Sequence, residues 1–346
     1  MTRPNPVTDP EALREALLRR LSHRIVGSGE LVFPAIPALI DHYLGILEHA
    51  ADALGRPFGD GRESLRRLLL EKLQSAFWRS PASTVRVRYA TTPPPKLGID
   101  WTVSSVELTL EDQYGQLAET HEPPVFGTHP DARLMDIART LGVPESTSCL
   151  DVGAGTGRNT LPLARAGFPI DALEPAAPLA HRLEAALRRE RLSSRVIRHD
   201  FLATGLELPR RHYRLVVLAG VCPHVRDVAM LKRLFERVAE VLQPGGVALL
   251  NAFLAVDGYV PDLAVEQVSE VAWSRAFTRE DLSTAVAGLP LTLVSDEPVL
   301  AYERARLPEW PPTAWYEAWG AGRDVFEVAE GEPPIELRWL TYRRDA

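Results

Sequence analysis

Apolar residues recur at helical spacing over residues 10–21, 36–54 and 62–77, and Thr8-Asp9 offers a cap for the first run, so the chain opens as three helices. Gly55 to Gly61 reads as the loop between the second and third. The period then changes. Residues 83–89 and 101–110 alternate and are rich in β-branched residues, which predicts a short β-hairpin joined across Thr91, Thr92, Pro93, Pro94 and Pro95; three consecutive prolines fit neither a helix nor a central strand. From residue 149 onward short apolar runs alternate with helical patterns. Strands are expected at 149–152, 169–175, 195–201 and 247–254, residues 213–225 read as a further strand with the loop at its carboxyl end, and a helix over 227–242 and a Gln243-Pro244-Gly245-Gly246 turn precede the last strand. Thr278 followed by Glu280 and Asp281 signals another helix start, and residues 291–302 and 335–342 read as a closing strand pair.

Within this alternation, the run Asp151-Val152-Gly153-Ala154-Gly155-Thr156-Gly157-Arg158-Asn159 is the most informative stretch. An apolar strand breaks into three alternately placed glycines and then enters a helix. Glycine serves where the backbone needs unusual dihedrals or a ligand must come close, and a helix amino terminus offers free N–H groups. A second strand follows about twenty residues later and ends in Glu174, as a ribose-binding carboxylate should.

The D-x-G-x-G-x-G spacing differs from the G-x-G-x-x-G of nicotinamide-binding proteins and resembles motif I of class I S-adenosylmethionine-dependent methyltransferases. The resemblance runs over roughly residues 120–345 and keeps its order, through Asp200-Phe201 after the third strand and Ala219 to Val225 after the fourth. Thr128-His129-Pro130-Asp131 is similar to an element before the first core helix of some bacterial methyltransferases, and Asp131 is expected at a helix start. The resemblance implies a Rossmann-like α/β fold, a seven-stranded sheet with helices on both faces. It also implies S-adenosylmethionine as cofactor and S-adenosylhomocysteine as product. Gly153, Ala154, Gly155 and Gly157 would then flank the amino-acid half of the cofactor, with Asp151 and Asn159 beside them. Glu174 and Pro175 would meet the ribose, Asp200 and Phe201 the adenine, and Gly220 and Val221 the opposite side. Asp151 is also read as holding the glycine loop indirectly.

The implied chemistry is direct, in-line transfer of a methyl group to an oxygen or nitrogen nucleophile. His224, Tyr302 and Glu303 are conceivable proton handlers, with His224 and Tyr302 placed as catalytic candidates. No Asn-Pro-Pro-Tyr motif stands after the fourth strand, where Ala219-Gly220-Val221-Cys222-Pro223-His224 is found, so a small molecule or peptide acceptor is expected rather than DNA adenine. An insertion over about 304–334 holds Trp310, Trp315 and Trp319, which with Tyr114 form the expected substrate pocket or lid.

Composition narrows the rest. The chain has 346 residues, 45% hydrophobic and 25% charged, with a net charge of −7 that argues against a nucleic-acid surface. No apolar run spans a membrane and the amino terminus lacks a signal-peptide core, so a cytoplasmic protein without membrane contact is expected. Two cysteines, Cys149 and Cys222, predict neither a disulfide framework nor a metal site. The domain reading is an accessory domain at 1–115, covering the acceptor or forming a homodimer, and a methyltransferase domain at 116–346. Two other classes stay open: a cofactor-binding module without transfer, and a nicotinamide-dependent oxidoreductase.

Overall fold

The computed structural model describes residues 6–92, 97–120 and 124–346. Pro93 to Pro95 of the proline run, and His121 to Pro123 ahead of the Thr-His-Pro-Asp element, lie outside them. The chain divides into two compact units, Met1–Thr109 and Leu110–Ala346.

In the first unit, helix α1 (Pro10–Ser22) begins at Asp9, whose carboxylate accepts the Ala12 N–H at 2.8 Å. Strand β1 (Ser28–Pro34) follows, then α2 (Ile40–Ala53), α3 (Arg62–Arg79), β2 (Thr84–Thr91) and β3 (Ile99–Val106). The expected hairpin is present as β2 and β3, and β1 pairs with β2 to make an antiparallel sheet of three strands. The strand β1 escaped the sequence reading because glycine and proline interrupt its alternation and Val32 stays exposed. Its Phe33 stacks on Tyr43 of α2 with ring centroids 4.6 Å apart.

The second unit opens on α4 (Leu110–Thr120), so Leu110 starts a helix rather than ending a strand. Next come α5 (Ala132–Ala138), β4 (Cys149–Val152), α6 (Thr160–Arg165), β5 (Ile170–Leu173), α7 (Ala177–Glu190), β6 (Arg195–Ile197), β7 (Tyr213–Leu218), α8 (Val228–Val241) and β8 (Leu242–Ala255). The chain finishes with α9 (Leu263–Val271), β9 (Ala276–Phe277), α10 (Arg279–Val286), β10 (Leu291–Pro298), α11 (Val299–Arg304), α12 (Tyr316–Gly320) and β11 (Ile335–Arg344). Asp131 stands at the first position before α5, as expected, but its side chain makes no capping hydrogen bond there. The strand expected over 291–302 stops at Pro298, and the chain turns into α11, which carries Tyr302.

The main path of the sheet runs β10-β11-β8-β7-β4-β5-β6, with β9 added on β8. The strands β4 to β8 pair in parallel, and β11 is antiparallel to both β8 and β10. Both faces are covered, so successive residues feed two cores. Leu150, Val216, Leu218, Ala248 and Leu250 enter one, while Cys149, Leu215, Val217, Leu249 and Phe253 enter the other. The order reverses between β4 and β7, and the loops at the carboxyl ends of these two strands form the crevice in which an open α/β sheet binds ligands. Among the described residues no helix is long and apolar enough to cross a membrane.

Candidate functional site

The loop after β4 takes three left-handed turns, at Gly153 (φ +70°), Gly155 (φ +56°) and Gly157 (φ +95°). A Cβ on Gly153 would stand 3.0 Å from Val221 Cγ2, and one on Gly155 would stand 3.3 Å from the Phe126 ring. On Gly157 it would meet Leu183 of α7 at 2.5 Å, so this third glycine serves close helix packing. Gly153 and Ala154 donate to the Leu173 carbonyl at 2.8 and 3.0 Å, tying the turn to the end of β5. Immediately beyond, the Glu174 carboxylate is buried and accepts the Gly155 N–H on one oxygen and the Ala176 N–H on the other, each at 2.8 Å. Burial raises its pKa and these two donors oppose the rise.

The other motif residues divide between the crevice and the scaffold. Asp151 accepts the Thr160 hydroxyl at 2.6 Å, and burial pushes its pKa up to about 7; its partner is the start of α6 rather than a glycine-loop amide. The Asn159 side chain accepts Asp131 N–H and donates to Asp131 Oδ2, at 3.0 and 2.8 Å. Arg158 forks onto the same carboxylate at 2.5 and 2.9 Å. Asp200 is exposed, and its Oδ1 accepts the Leu202 N–H at 2.6 Å. Phe201 is buried in the core with Arg237 over its ring, and Pro175 is half-buried beside Glu174. Gly220 (φ +76°) donates to Asn251 Oδ1 at 2.6 Å, and Val221 faces Gly153.

His224 closes the short turn after β7, and two aromatic rings from other segments pack against it. The hydroxyl of Tyr114, on α4, lies 2.8 Å from His224 Nε2. Trp273 stacks on Tyr114 at 5.1 Å and meets His224 edge-on at 5.7 Å. Phe126 bridges to the glycine turn, 6.1 Å from Tyr114 and against Gly155. Burial lowers the pKa of His224 to about 4, so its imidazole is neutral at pH 7. Burial, with the Glu174 charge adding to it, raises that of Tyr114, which stays protonated.

Tyr302 is not brought into this group. Its hydroxyl donates to Asp136 at 2.7 Å and accepts from Arg133 at 3.3 Å, both on α5. Glu303, beside it, accepts Ala132 N–H, Arg133 N–H and Trp339 Nε1–H, and is buried at 1% exposure. The three insertion tryptophans have three settings. Trp315 is exposed, Trp310 lies under Arg304 and against Tyr316, and Trp319 is buried with its Nε1 donating to the Trp273 carbonyl at 2.9 Å. Trp273 and Phe126 were not singled out from the sequence. Phe126 stands two residues before the Thr128-His129-Pro130-Asp131 element, whereas Trp273 sits alone before a cap signal and gives no pattern. The cysteines are free and buried, and among the described residues no His, Cys, Asp and Glu group could hold a metal ion.

Residues 149–246 match the family model of a methyltransferase domain. The match covers β4 to the start of β8, the part of the chain that carries the glycine turn and Glu174, and S-adenosylmethionine is the cofactor of the class I methyltransferases whose motif I that turn resembles. No curated protein matches the chain. Among solved structures it is similar to a protein described as a sarcosine dimethylglycine methyltransferase from Galdieria sulphuraria, with 18% identity over 68% of this chain and 98% of that one and a TM-score of 0.49. It is also similar to geranyl diphosphate C-methyltransferase from Streptomyces coelicolor A3(2), with 14% identity, 68% and 97% coverage and a TM-score of 0.48. A third is the [4+2]-cyclase SpnF, with 16% identity, 62% and 81% coverage and a TM-score of 0.45.

Proposed function

We propose that this chain methylates a hydroxyl group of a small molecule, with His224 as the base that takes the hydroxyl proton. The observation that carries the reading is the 2.8 Å contact between Tyr114 Oη and His224 Nε2 at the ligand edge of the sheet. A neutral imidazole facing a hydroxyl there is the arrangement that an acceptor hydroxyl needs.

The residues fit the cofactor of the class. Gly153 and Gly155 form a cradle that a Cβ would fill, and would take the amino-acid half. Glu174 uses one lone pair of each oxygen on a backbone N–H, which leaves each oxygen able to accept a ribose hydroxyl. Asp200, exposed after β6, is proposed for the adenine amine. The bound cofactor supplies a methyl group on a positively charged sulfur. What the protein adds is alignment, exclusion of water and removal of the acceptor's proton.

The Tyr114 hydroxyl marks the place of the acceptor hydroxyl. In the tautomer with the ring proton on Nδ1, Tyr114 donates to Nε2. An acceptor that displaces Tyr114 presents its own O–H to Nε2. His224 would take that proton as the oxygen attacks, and the cofactor held by the glycine turn and Glu174 would supply the methyl group. The low pKa keeps Nε2 unprotonated through the neutral range. With Tyr114 displaced, Trp273 offers a flat apolar face beside it, which suits a planar acceptor.

The test is a panel of phenols, other alcohols, amines and peptides incubated with methyl-labelled S-adenosylmethionine and read by mass spectrometry. Label on a hydroxyl, lost by about 100-fold or more in His224→Gln, is the expected result. Label on an amine alone, or undiminished transfer by His224→Gln, overturns the reading.

A further inference from the structure

We infer that Trp273 and Arg275 are positioning residues that hold His224 from two sides; this rests on the reading of His224 as the base. Neither belongs to a recognised motif, and each shows a feature that packing alone would not select.

Arg275 is 6% exposed, and its hydrogen bonds bracket the histidine. Its backbone N–H donates to the Pro223 carbonyl at 3.3 Å, just before His224, and its Nε donates to the Arg226 carbonyl at 3.0 Å, two residues after it. Its Nη2 reaches Glu266 on α9 at 3.1 Å, and its guanidinium lies over Phe277 at 5.2 Å. Among the described residues Nη1 is buried with no partner. A buried arginine with an unsatisfied N–H is costly. The rigid fork of a guanidinium, anchored at one end on Glu266, fixes where the 223–226 turn can lie.

Trp273 has a backbone φ of +53°, a region that a bulky side chain rarely occupies. Such a conformation persists only where the surroundings over-determine it. Here Trp319 Nε1 donates to its carbonyl at 2.9 Å and its own Nε1 donates to Gln113 Oε1 at 3.2 Å. The outcome is an indole wedged against both Tyr114 and His224, with α4 and α12 tied to it by one hydrogen bond each. Trp319 thus acts on the site through Trp273. Between them, Trp273 sets the ring face of His224 and Arg275 sets its backbone.

The clamp also controls what reaches the imidazole. The titratable groups around it are Tyr114 on α4, with Glu174 facing Tyr114, the pair of Arg226 from the turn before α8 with Glu270 on α9, and the pair of Arg275 from the loop after α9 with Glu266 on α9. Loosening the clamp admits water to a ring now shielded by aromatic surface, and desolvation is the cause of its low pKa.

The experiment is a histidine-labelled NMR titration of the full chain, with the His224 signal assigned by its loss in His224→Gln. Arg275→Lys keeps the charge opposite Glu266 but loses the Nε bond to Arg226; Trp273→Gly removes the indole while relieving the backbone. In both folded variants the His224 midpoint should rise by about one pH unit or more, a tenfold gain in proton affinity, while Val294→Ala, at an exposed position of β10, leaves it unchanged. An unmoved midpoint in Arg275→Lys and Trp273→Gly, or an equal shift in Val294→Ala, overturns the clamp. Turnover of His224→Gln tests the base separately: if transfer ignores His224 while the midpoints move, the base reading fails and the clamp stands.

Discussion

At Gly155 the backbone sits at φ +56° and a Cβ would stand 3.3 Å from Phe126, so two independent penalties fall on any substitution. Gly155→Val should lose both thermal stability and S-adenosylmethionine affinity, measured by calorimetry; a folded variant with parental affinity would place the cofactor elsewhere. This residue was legible because only glycine meets such a requirement, and three at alternate positions after a strand leave a mark in the sequence. Glu174 was legible for a similar reason, as an acid at a fixed distance on a strand end. Trp273 was not, since its left-handed backbone and its ring contacts come from α4, α12 and the β7 turn, which only the fold brings together. His224 carries a pH prediction of defined sign. Its pKa falls from 6.5 to about 4, so the acid limb of kcat against pH should lie well below 6.5, with activity lost as pH falls through the lower value. An acid limb centred near 6.5 would mean an exposed histidine or another base.

Element by element, the difficulty lay in short helices at the margins of the sheet. Tyr302 reads as part of an alternating strand, yet Pro298 ends β10 and α11 begins, and the next residue, Glu303, is drawn inward to three donors from α5 and β11. A strand ending in a proline and a helix of six residues share too few positions for periodicity to separate them. Glu303 gives this corner a pH signature. Burial, with the Asp131 charge adding to it, raises its carboxyl from 4.5 to about 7, so the folded state holds the proton more tightly than the unfolded chain between those values. Its contribution to stability therefore falls as pH rises through that window. Asp151 acts in the same direction and His224 in the opposite one. Glu303→Gln should lower the melting temperature, because one of its donors loses its acceptor at a cost of about 1–3 kcal/mol, and should remove part of the fall in stability between about pH 5 and 7. Melting curves at several pH values decide it: an unchanged slope would show that Glu303 does not titrate there.

On the scale of the whole molecule, the parallel sheet was legible because strands buried on both faces read as unbroken apolar runs, and these recur at the spacing of β–α units. The reversal of strand order between β4 and β7 then fixes the crevice without reference to any side chain. Phe253 illustrates how far the core is separable from the chemistry. It is fully buried and meets Trp319 edge-on at 5.2 Å, so Phe253→Ala should cost about 3–5 kcal/mol in denaturant unfolding. Through Trp319 it should also perturb Trp273, and so transfer, more than cofactor affinity. The aromatic cover over the glycine turn, Tyr114 and Phe126, comes from residues just ahead of the sheet within the same unit. Tyr114 was read as a pocket or lid residue, but the helix that carries it was hidden in the sequence because α4 follows a strand with no turn signal between them.

The claim on which the account depends is that the glycine turn and Glu174 hold S-adenosylmethionine through its ribose diol. Calorimetric titration of the parent and Glu174→Gln with S-adenosylmethionine and its 2′-deoxy analogue, with NAD as the competing ligand, tests it. The parent should bind S-adenosylmethionine and not NAD, and should lose about tenfold or more in affinity for the deoxy analogue, the worth of a hydrogen bond to a charged acceptor. In Glu174→Gln the natural cofactor should weaken while the gap between the two ligands closes. Binding of NAD in preference, or an equal penalty for the deoxy analogue in both proteins, would contradict it.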